Sequence, residues 1–191
     1  MRIAILGAAG YGKTTLSTAI SEELGIEFFS IPTRELMAKY GYETHAQVVA
    51  DSYGNTDRYL AFHNELMLGR IEKYFQKMRA GDEFVTDRTS MCNWIYNKIH
   101  ASFYAPDSTP IWERHDQVIT QLKHVFTHVF VVTDPHGAAS EDGLRNTNKH
   151  YNQMFTDLLL AELQRNEVSF YPVQESDHRK RVDFIRSILG K

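Results

Sequence analysis

The sequence has very little cysteine, with Cys92 as its single example among 191 residues. One cysteine cannot form an internal disulfide framework or an all-cysteine metal site, and such usage is typical of a reducing compartment. Long apolar runs are also lacking. The longest nearly apolar run covers residues 125–132 and contains His128, whereas a membrane-spanning helix needs about 20 such residues. The N-terminal apolar stretch is too short for a secretory signal. We therefore expect a cytoplasmic protein with no membrane partner.

An excess of either charge is absent too. Lysine and arginine total 21 against 24 aspartate and glutamate residues, a formal net charge of −3, so the whole chain has no general attraction for nucleic acid. The sequence also lacks repeats of fixed period and linkers rich in glycine, serine or proline. The hydrophobic content of 42% is ordinary for a globular protein. We expect one domain over residues 1–191.

Five short runs rich in β-branched or aromatic residues predict strands, over residues 2–6, 26–31, 83–86, 127–133 and 169–173. Helical hydrophobic periods lie between them, over residues 13–24, over 57–79, after 147, and near the C-terminus. This alternation predicts an α/β fold with a parallel sheet covered by helices on both faces. Ligands then bind at the carboxyl ends of the strands, so functional residues should follow the strands directly.

The most specific motif stands between the first strand and the first helix. It matches the phosphate-binding pattern G-x-x-x-x-G-K-[ST] and comprises Gly7, Ala8, Ala9, Gly10, Tyr11, Gly12, Lys13 and Thr14, with Thr15 next in the helix. Glycines let backbone N–H groups converge on phosphate oxygens, and the helix N-terminus adds a positive dipole end. Lys13 would contact the β- and γ-phosphates and Thr14 would ligate Mg²⁺. The motif predicts ATP and Mg²⁺ as cofactors.

Three classes of protein share this loop: GTPase switches, ATP-driven motors or AAA machines, and small-molecule kinases. A switch needs a guanine-reading N-K-x-D, but the candidate that begins at Asn148 has Tyr151 where the carboxylate should be. A motor typically needs a second helical subdomain with an arginine finger, for which this chain length leaves no room. The sequence therefore favours a kinase and leaves the GTPase or ATPase switch as the weaker alternative.

Asp87 and Arg88 follow the predicted strand over residues 83–86, at the edge where the ligand crevice should lie. Asp87 could take the proton of an attacking hydroxyl or organise Mg²⁺, and Arg88 offers a planar fork to phosphate oxygens or a sugar hydroxyl. The structural alternative is that Asp87 caps the next helix and Arg88 pairs at the surface. The position after a strand favours the catalytic interpretation.

Candidates for acceptor binding lie on the next helices. Asn64 and Arg70 occupy neighbouring faces of the helix over residues 57–79, and each could contact an acceptor. A satisfied core amide explains Asn64 equally well, and a solvated side chain explains Arg70 equally well. Trp94 and Tyr96 could stack on an aromatic acceptor, although such spacing is also typical of a core.

The order of these motifs resembles the thymidylate kinase and deoxynucleoside kinase group. It resembles more closely the P-loop kinases typified by the nicotinamide-riboside kinase domain, many of them encoded by bacteria and phages. The matching segments are Arg34 with the following Glu35, the run Asp142-Gly143-Leu144-Arg145, and the acidic-then-arginine segment that ends at Arg181. The resemblance implies a P-loop NTPase three-layer sandwich with strand order 2-3-1-4-5. It also implies that Arg181 borders the donor base and that the long helix lines the acceptor pocket.

Residues 134–146 are rich in glycine, alanine, serine and charge and contain one arginine, Arg145. Their place after the fourth strand predicts a lid that closes over the phosphates. A cation is needed there during phosphoryl transfer, and closure excludes water. We therefore interpret Arg145 as a phosphate clamp.

Together these patterns predict an ATP- and Mg²⁺-dependent phosphotransferase that acts on a nucleoside, a nucleoside monophosphate or a related acceptor. In this reading Lys13, Asp87, Arg88 and Arg145 are catalytic, Thr14 and Asp87 hold the metal, and Arg34 helps to bind the acceptor. A kinase that phosphorylates a hydroxymethylated pyrimidine within DNA stays open as an alternative, because the triplet that ends at Arg181 and the insert over residues 101–112 could contact phosphates. A homodimer is also left open.

Overall fold

The computed structural model describes residues 1–31, 33–104, 116, 123–133 and 148–191. Its strands are β1 (Arg2–Gly7), β2 (Glu27–Phe28), β3 (Phe84–Thr86), β4 (His128–Val132) and β5 (Tyr171–Val173). Its helices are α1 (Lys13–Leu24), α2 (Thr33–Lys39), α3 (His45–Gly54), α4 (Thr56–Ala80), α5 (Ser90–Tyr104), α6 (Lys149–Arg165) and α7 (His178–Leu189).

The five strands form one sheet in the order β2-β3-β1-β4-β5. Every pairing is parallel, and in the register of the central pair Ile5 stands beside Phe130 and Gly7 beside Val132. The predicted α/β class and the predicted strand order are both confirmed. Because all strands run the same way, the ends of β1, β2 and β3 meet at one edge of the sheet.

Burial along β1 shows that both faces of the sheet are covered. Ile3, Ala4, Ile5 and Leu6 are all buried, although consecutive strand residues point to opposite faces. On one side α1 packs beside α7, and elsewhere α5 packs beside both α4 and α6. Near-continuous apolar strands of this kind are typical of a parallel sheet between two helical layers.

A second, smaller hydrophobic cluster lies apart from the main core. Met37, Tyr42, Val48, Phe62 and Leu66 belong to it, so it joins α2 and α3 to the first half of α4. Sequence periodicity did not predict α2 or α3, because helices this short carry too few apolar repeats. The second strand is also shorter than predicted, since the chain leaves the sheet after Phe28.

The predicted lid over residues 134–146, including Arg145, lies outside the described residues, as do residues 105–112 of the insert. Among the helices that the structure describes, none combines the length and apolar character that crossing a bilayer requires.

Candidate active site

Backbone conformation in the loop between β1 and α1 depends on glycine. Gly7, Gly10 and Gly12 have φ angles of 139°, 81° and 76°, a region that side chains with a β-carbon rarely adopt. At Gly7 there is also no space, since a Cβ would lie 2.6 Å from the carbonyl oxygen of Val132 on β4. These glycines therefore allow the chain to turn sharply from the central strand into α1.

Two side chains from distant segments hold the carbonyl oxygens of this loop. Asn152 of α6 donates its Nδ2 to the Ala9 oxygen at 3.3 Å. Arg181 of α7 donates Nη1 to the Tyr11 oxygen at 2.9 Å and Nε to the Glu175 oxygen at 2.6 Å. Arg181 is only 1% exposed, so it is a buried support of the loop.

Lys13 begins α1 and is itself buried, with 5% of its surface exposed. Its Nζ donates to the Ala8 oxygen at 2.5 Å. The ammonium group is thus folded back over the loop at the positive end of a helix. A cation in this position can neutralise the charge of phosphate oxygens that the loop amides bind.

Asp87 stands at the carboxyl end of β3 and joins the loop to the neighbouring strand. Its Oδ2 accepts a hydrogen bond from the Thr14 hydroxyl at 2.5 Å, and its Oδ1 accepts one from the Ser30 hydroxyl at 2.8 Å. The carboxylate is therefore oriented by one residue of α1 and by one that follows β2. One carboxylate beside a hydroxyl at a phosphate loop is a donor set that fits Mg²⁺, which takes few protein oxygens and completes its shell with phosphates and water.

A cavity of about 520 Å³ opens beside Asp87. Its walls come from the loop, from the segments after β2 and β3, and from α2 to α5. The lining residues are Ala9, Thr14, Ser30, Ile31, Thr33, Arg34, Glu35, Met37, His45, Val48, Phe62, His63, Leu66, Asp87, Arg88, Asn93 and Tyr96. The volume suits a small molecule, and the walls combine aromatic rings with polar groups.

Charges of both signs surround this cavity. Arg34 and Glu35 are exposed at the start of α2, and Arg88 lies deeper beside Asp87. Within the described part of the chain, the Arg88 guanidinium takes part in no hydrogen bond or ion pair, and neither does the Glu35 carboxylate. Both groups are therefore available to a ligand.

Arg70 lies behind the lining and is 1% exposed. Its guanidinium donates to Asn93 Oδ1, and to Thr33 Oγ1 at 3.4 Å. Burial lowers the pKa of Arg70, and the charge of Arg88 lowers it further. Since Asn93 and Thr33 both line the cavity, Arg70 holds two of its wall residues in place.

Histidines contribute neutral polar groups on the same side. Burial lowers the pKa of His45, and the nearby Arg88 cation adds to the shift. Burial also lowers the pKa of His100 to about 3, with a smaller effect from His45. Both imidazoles are therefore uncharged at neutral pH.

Several residues proposed from the sequence come together here. Lys13, Thr14, Asp87, Arg88 and Arg34 surround the loop and the cavity, and Arg70 lies directly behind it. Thr15, the next residue of α1, is exposed.

Others lie elsewhere. Asn64 is half-buried on α4 but does not line the cavity. Trp94 is 3% exposed in the main core, where Lys98 Nζ lies 4.8 Å from its ring centroid, while Tyr96 lines the cavity. The sequence left Arg70 open between a solvated side chain and an acceptor contact, and the structure buries its guanidinium behind the cavity wall.

The basic triplet at the start of α7 does not form a continuous patch. Arg181 is buried against the loop, whereas Arg179 is exposed and forms an ion pair with Asp183 at 3.6 Å. The sequence suggested a surface for DNA phosphates at this triplet, and burial removes one of its three cations from that surface.

Sequence reasoning did not identify Ser30, His45, His63 or Asn93. Ser30 follows β2 directly, so the rule that ligand-binding residues follow parallel strands could have found it. For His45, His63 and Asn93 no local signal exists, because helix packing alone brings them to the cavity.

One family model, described as an AAA domain, matches residues 2–181 of the chain. The chain therefore belongs to this AAA domain family of P-loop proteins. No curated protein sequence matches the chain closely enough to count as a relative.

Solved structures of similar fold include a deoxyadenosine kinase, a NadR protein and a thymidylate kinase. Deoxyadenosine kinase from M. mycoides, with bound dATP, has a TM-score of 0.72 at 21% identity over 100% of both chains. NadR protein in complex with NR has a TM-score of 0.72 at 14% identity, and this chain spans about half (52%) of its length. Thymidylate kinase from Candida albicans has a TM-score of 0.60 at 14% identity, covering 99% of this chain and 90% of that one. The chain has the fold of the P-loop small-molecule kinases.

Proposed function

We propose that this protein is a kinase that transfers the γ-phosphoryl group of ATP to a nucleoside or nucleoside monophosphate held in the cavity. The observation that carries the proposal is the position of Asp87. Its two carboxylate oxygens accept hydrogen bonds from Thr14 of the phosphate loop and Ser30 of the cavity wall, so one side chain connects the donor side with the acceptor side.

On the donor side the chain supplies a pre-formed anion site. Side chains of Lys13, Asn152 and Arg181 hold the carbonyl oxygens of Ala8, Ala9 and Tyr11, which supports the turn of the loop before α1. Lys13 adds a buried cation. Because charge spreads over the γ-phosphoryl oxygens during transfer, a pre-positioned cation lowers the barrier without reorganisation.

Thr14 and Asp87 are the residues that would hold Mg²⁺. When bound, the ion neutralises charge on the β- and γ-phosphates. The present hydrogen bond of 2.5 Å between these side chains already brings their oxygens together, so both can serve one ion without a change of backbone.

On the acceptor side two carboxylates face the cavity, Asp87 and Glu35. In the transfer step the acceptor oxygen forms a bond to the γ-phosphorus, the bond from that phosphorus to the β–γ bridging oxygen breaks, and ADP leaves. A hydroxyl acceptor also gives its proton to a carboxylate, whereas a phosphate acceptor has none to give. Since Asp87 is held by Thr14 and Ser30 and would also ligate Mg²⁺, Glu35 is the freer proton acceptor.

Cations and aromatic rings complete the case for this acceptor class. Arg88 and Arg34 could bind a transferring phosphoryl group or an acceptor phosphate, and the aromatic residues Phe62 and Tyr96 line the cavity in which a base would bind. Two proteins of similar fold have been solved with ligands of the same class, dATP and NR. A cytoplasmic location, where ATP is available, follows from the same proposal.

The experiment is an acceptor panel with MgATP and the intact protein. Deoxyadenosine, deoxycytidine, thymidine, nicotinamide riboside and their monophosphates are each incubated with ATP, and products are identified by mass spectrometry. We expect ADP and one phosphorylated acceptor in equal amounts. Hydrolysis of ATP at a rate independent of every acceptor would contradict the proposal and would favour an ATPase. Lys39→Ala, which alters an exposed lysine paired with Glu65, is the control for nonspecific loss of activity.

A further inference from the structure

A buried polar network lies between the cavity and α6. His100 of α5 is 3% exposed, and its two ring nitrogens contact two tyrosine hydroxyls. Nδ1 lies 3.1 Å from the hydroxyl of Tyr59 on α4, and Nε2 lies 2.8 Å from the hydroxyl of Tyr151 on α6. The network therefore joins three helices through one imidazole.

Counting protons fixes the direction of these hydrogen bonds. The Tyr59 hydroxyl donates its single proton to Asn97 Oδ1 at 3.1 Å, so Nδ1 of His100 must donate to the Tyr59 oxygen. The neutral ring then has only an acceptor at Nε2, and the Tyr151 hydroxyl donates to it. Because burial keeps the pKa of His100 at about 3, the ring stays neutral and this arrangement does not change near neutral pH.

The two ends of the network reach different parts of the site. At the cavity end, His45 and Tyr96 line the wall, and their rings lie 5.8 Å and 6.3 Å from the His100 ring. Tyr96 is also nearly parallel to Tyr151, with 19° between the ring planes. A molecule bound against His45 and Tyr96 thus presses on residues that touch His100 and Tyr151.

At the other end Tyr151 lies in the first turn of α6, which Asn148 caps by accepting from the Tyr151 N–H at 3.1 Å. The next residue, Asn152, is the one that donates to the Ala9 oxygen of the phosphate loop. A shift of Tyr151 can therefore be passed through the first turn of α6 to the residue that holds the loop.

We propose that His100 and Tyr151 are positioning residues that couple the acceptor cavity to the phosphate loop. The Tyr151 hydroxyl, fixed by His100, sets the position of the first turn of α6 and hence of Asn152 on Ala9. This inference rests on the proposed function only for the identity of the two ligands. The link between the cavity wall and the loop is a property of the chain itself and can be tested without either ligand.

The test compares Tyr151→Phe with the wild type and with Tyr42→Phe. Tyr42 is a matched control, since its buried hydroxyl donates to Asp51 Oδ2 at 2.9 Å and belongs to the second cluster. Amide hydrogen exchange is measured on the ligand-free proteins. We expect Tyr151→Phe to raise exchange at residues 7–14 by at least about threefold, and Tyr42→Phe to leave that loop unchanged.

Kinetics supply a second readout that a general loss of stability would not change. With MgATP and the best acceptor of the panel, binding of the acceptor should lower the KM for ATP in the wild type. Tyr151→Phe should reduce this effect by about threefold or more, while Tyr42→Phe should keep it. Faster exchange confined to α5 and α6, with an unchanged loop, would overturn the proposed link. Absence of transfer to every acceptor would count against the proposed function, and the exchange result would still decide the link.

Discussion

The phosphate loop and the acceptor cavity are built in different ways. The loop is one continuous segment whose glycine, lysine and threonine positions follow from the chemistry of phosphate binding, and distant side chains such as Asn152 and Arg181 only support it. The cavity takes scattered residues from four helices, α2 to α5, from the segments after two strands, and from the phosphate loop itself. A function that resides in a contiguous motif can thus be recognised from sequence, whereas one that depends on helix packing requires the structure.

Substitutions in the loop and in the cavity should therefore differ in how much they reduce turnover. The loop carries the interactions that phosphoryl transfer needs for any acceptor, so its loss should abolish turnover. In the proposed function the cavity carries the interactions that choose the acceptor, so changes there should alter rate and preference by smaller factors. The predictions below test this contrast in order of expected effect.

The largest effect is expected for Lys13→Ala. Removing the buried cation that we propose neutralises the γ-phosphate should lower kcat by about 10³-fold or more, because this interaction would be strongest in the transition state. Steady-state rates with MgATP and the best acceptor measure this loss, with Lys39→Ala as the control. Turnover within twofold of wild type would contradict the role of the loop.

Gly7→Ala should destabilise the fold by about 3 kcal/mol, because the added Cβ would meet the Val132 oxygen at 2.6 Å in a backbone conformation that disfavours alanine. Gly25→Ala is the matched variant. Gly25 also has a positive φ, of 64°, but an added Cβ there meets nothing within 4 Å, so we expect a loss of only about 1 kcal/mol. Urea unfolding of both variants measures the difference. Equal decreases in the free energy of unfolding would show that the close approach of β1 and β4 at Gly7 does not add to the cost of the substitution.

The two carboxylates at the cavity should differ in their contributions. Asp87→Asn should lower the rate for a nucleoside acceptor by about 10²-fold, because it removes a metal-organising charge and disturbs Thr14 and Ser30. If Glu35 accepts the proton of the attacking hydroxyl, Glu35→Gln should lower the rate strongly for a nucleoside. The same variant should lower it little for a monophosphate, which has no such proton to give. These rates are compared at saturating ATP. If both variants phosphorylated a nucleoside at the wild-type rate, neither carboxylate would contribute to the transfer step.

A smaller effect is expected from pH. The folded-state pKa of His100 is about 3 against its usual 6.5, so below pH 6.5 the unfolded chain binds a proton that the folded chain does not. Stability should therefore fall as the pH is lowered from 7, by about 2 kcal/mol at pH 5 from this residue. Urea unfolding of wild type and His100→Gln at both pH values measures this. An equal pH dependence in the two proteins would contradict the assignment to His100.

Much of the fold followed from the sequence because its signals are local. Hydrophobic runs predicted all five strands, and α1 begins at Lys13 as the motif predicted. The helices α2 and α3 did not follow, since their packing depends on Tyr42, Phe62 and other residues of a separate cluster. Short amphipathic segments acquire their structure from such tertiary contacts more than from their own propensity.

The site divides in the same manner. Lys13, Thr14, Asp87 and Arg88 could be proposed because each follows a strand or stands in a motif, and their roles stay predictions. Trp94 was proposed as a stacking residue, but helix α5 turns it into the core and turns Tyr96 toward the cavity. A rotation of one helix decides which of two nearby aromatic residues meets a ligand, and the sequence does not encode that rotation locally. The role of Arg145 in a lid stays a prediction.

The claim that the donor and acceptor sites meet at Asp87 is tested most directly with a bisubstrate ligand. Such a ligand joins adenosine, through a polyphosphate chain, to the nucleoside that the acceptor panel selects, and its Kd is measured by calorimetry beside those of ATP and the free nucleoside. If the loop and the cavity form one continuous site, the joined ligand should bind at least about 100-fold more tightly than ATP, because the second half binds intramolecularly. Lys13→Ala should then weaken it strongly. An affinity no greater than that of ATP alone would contradict the account.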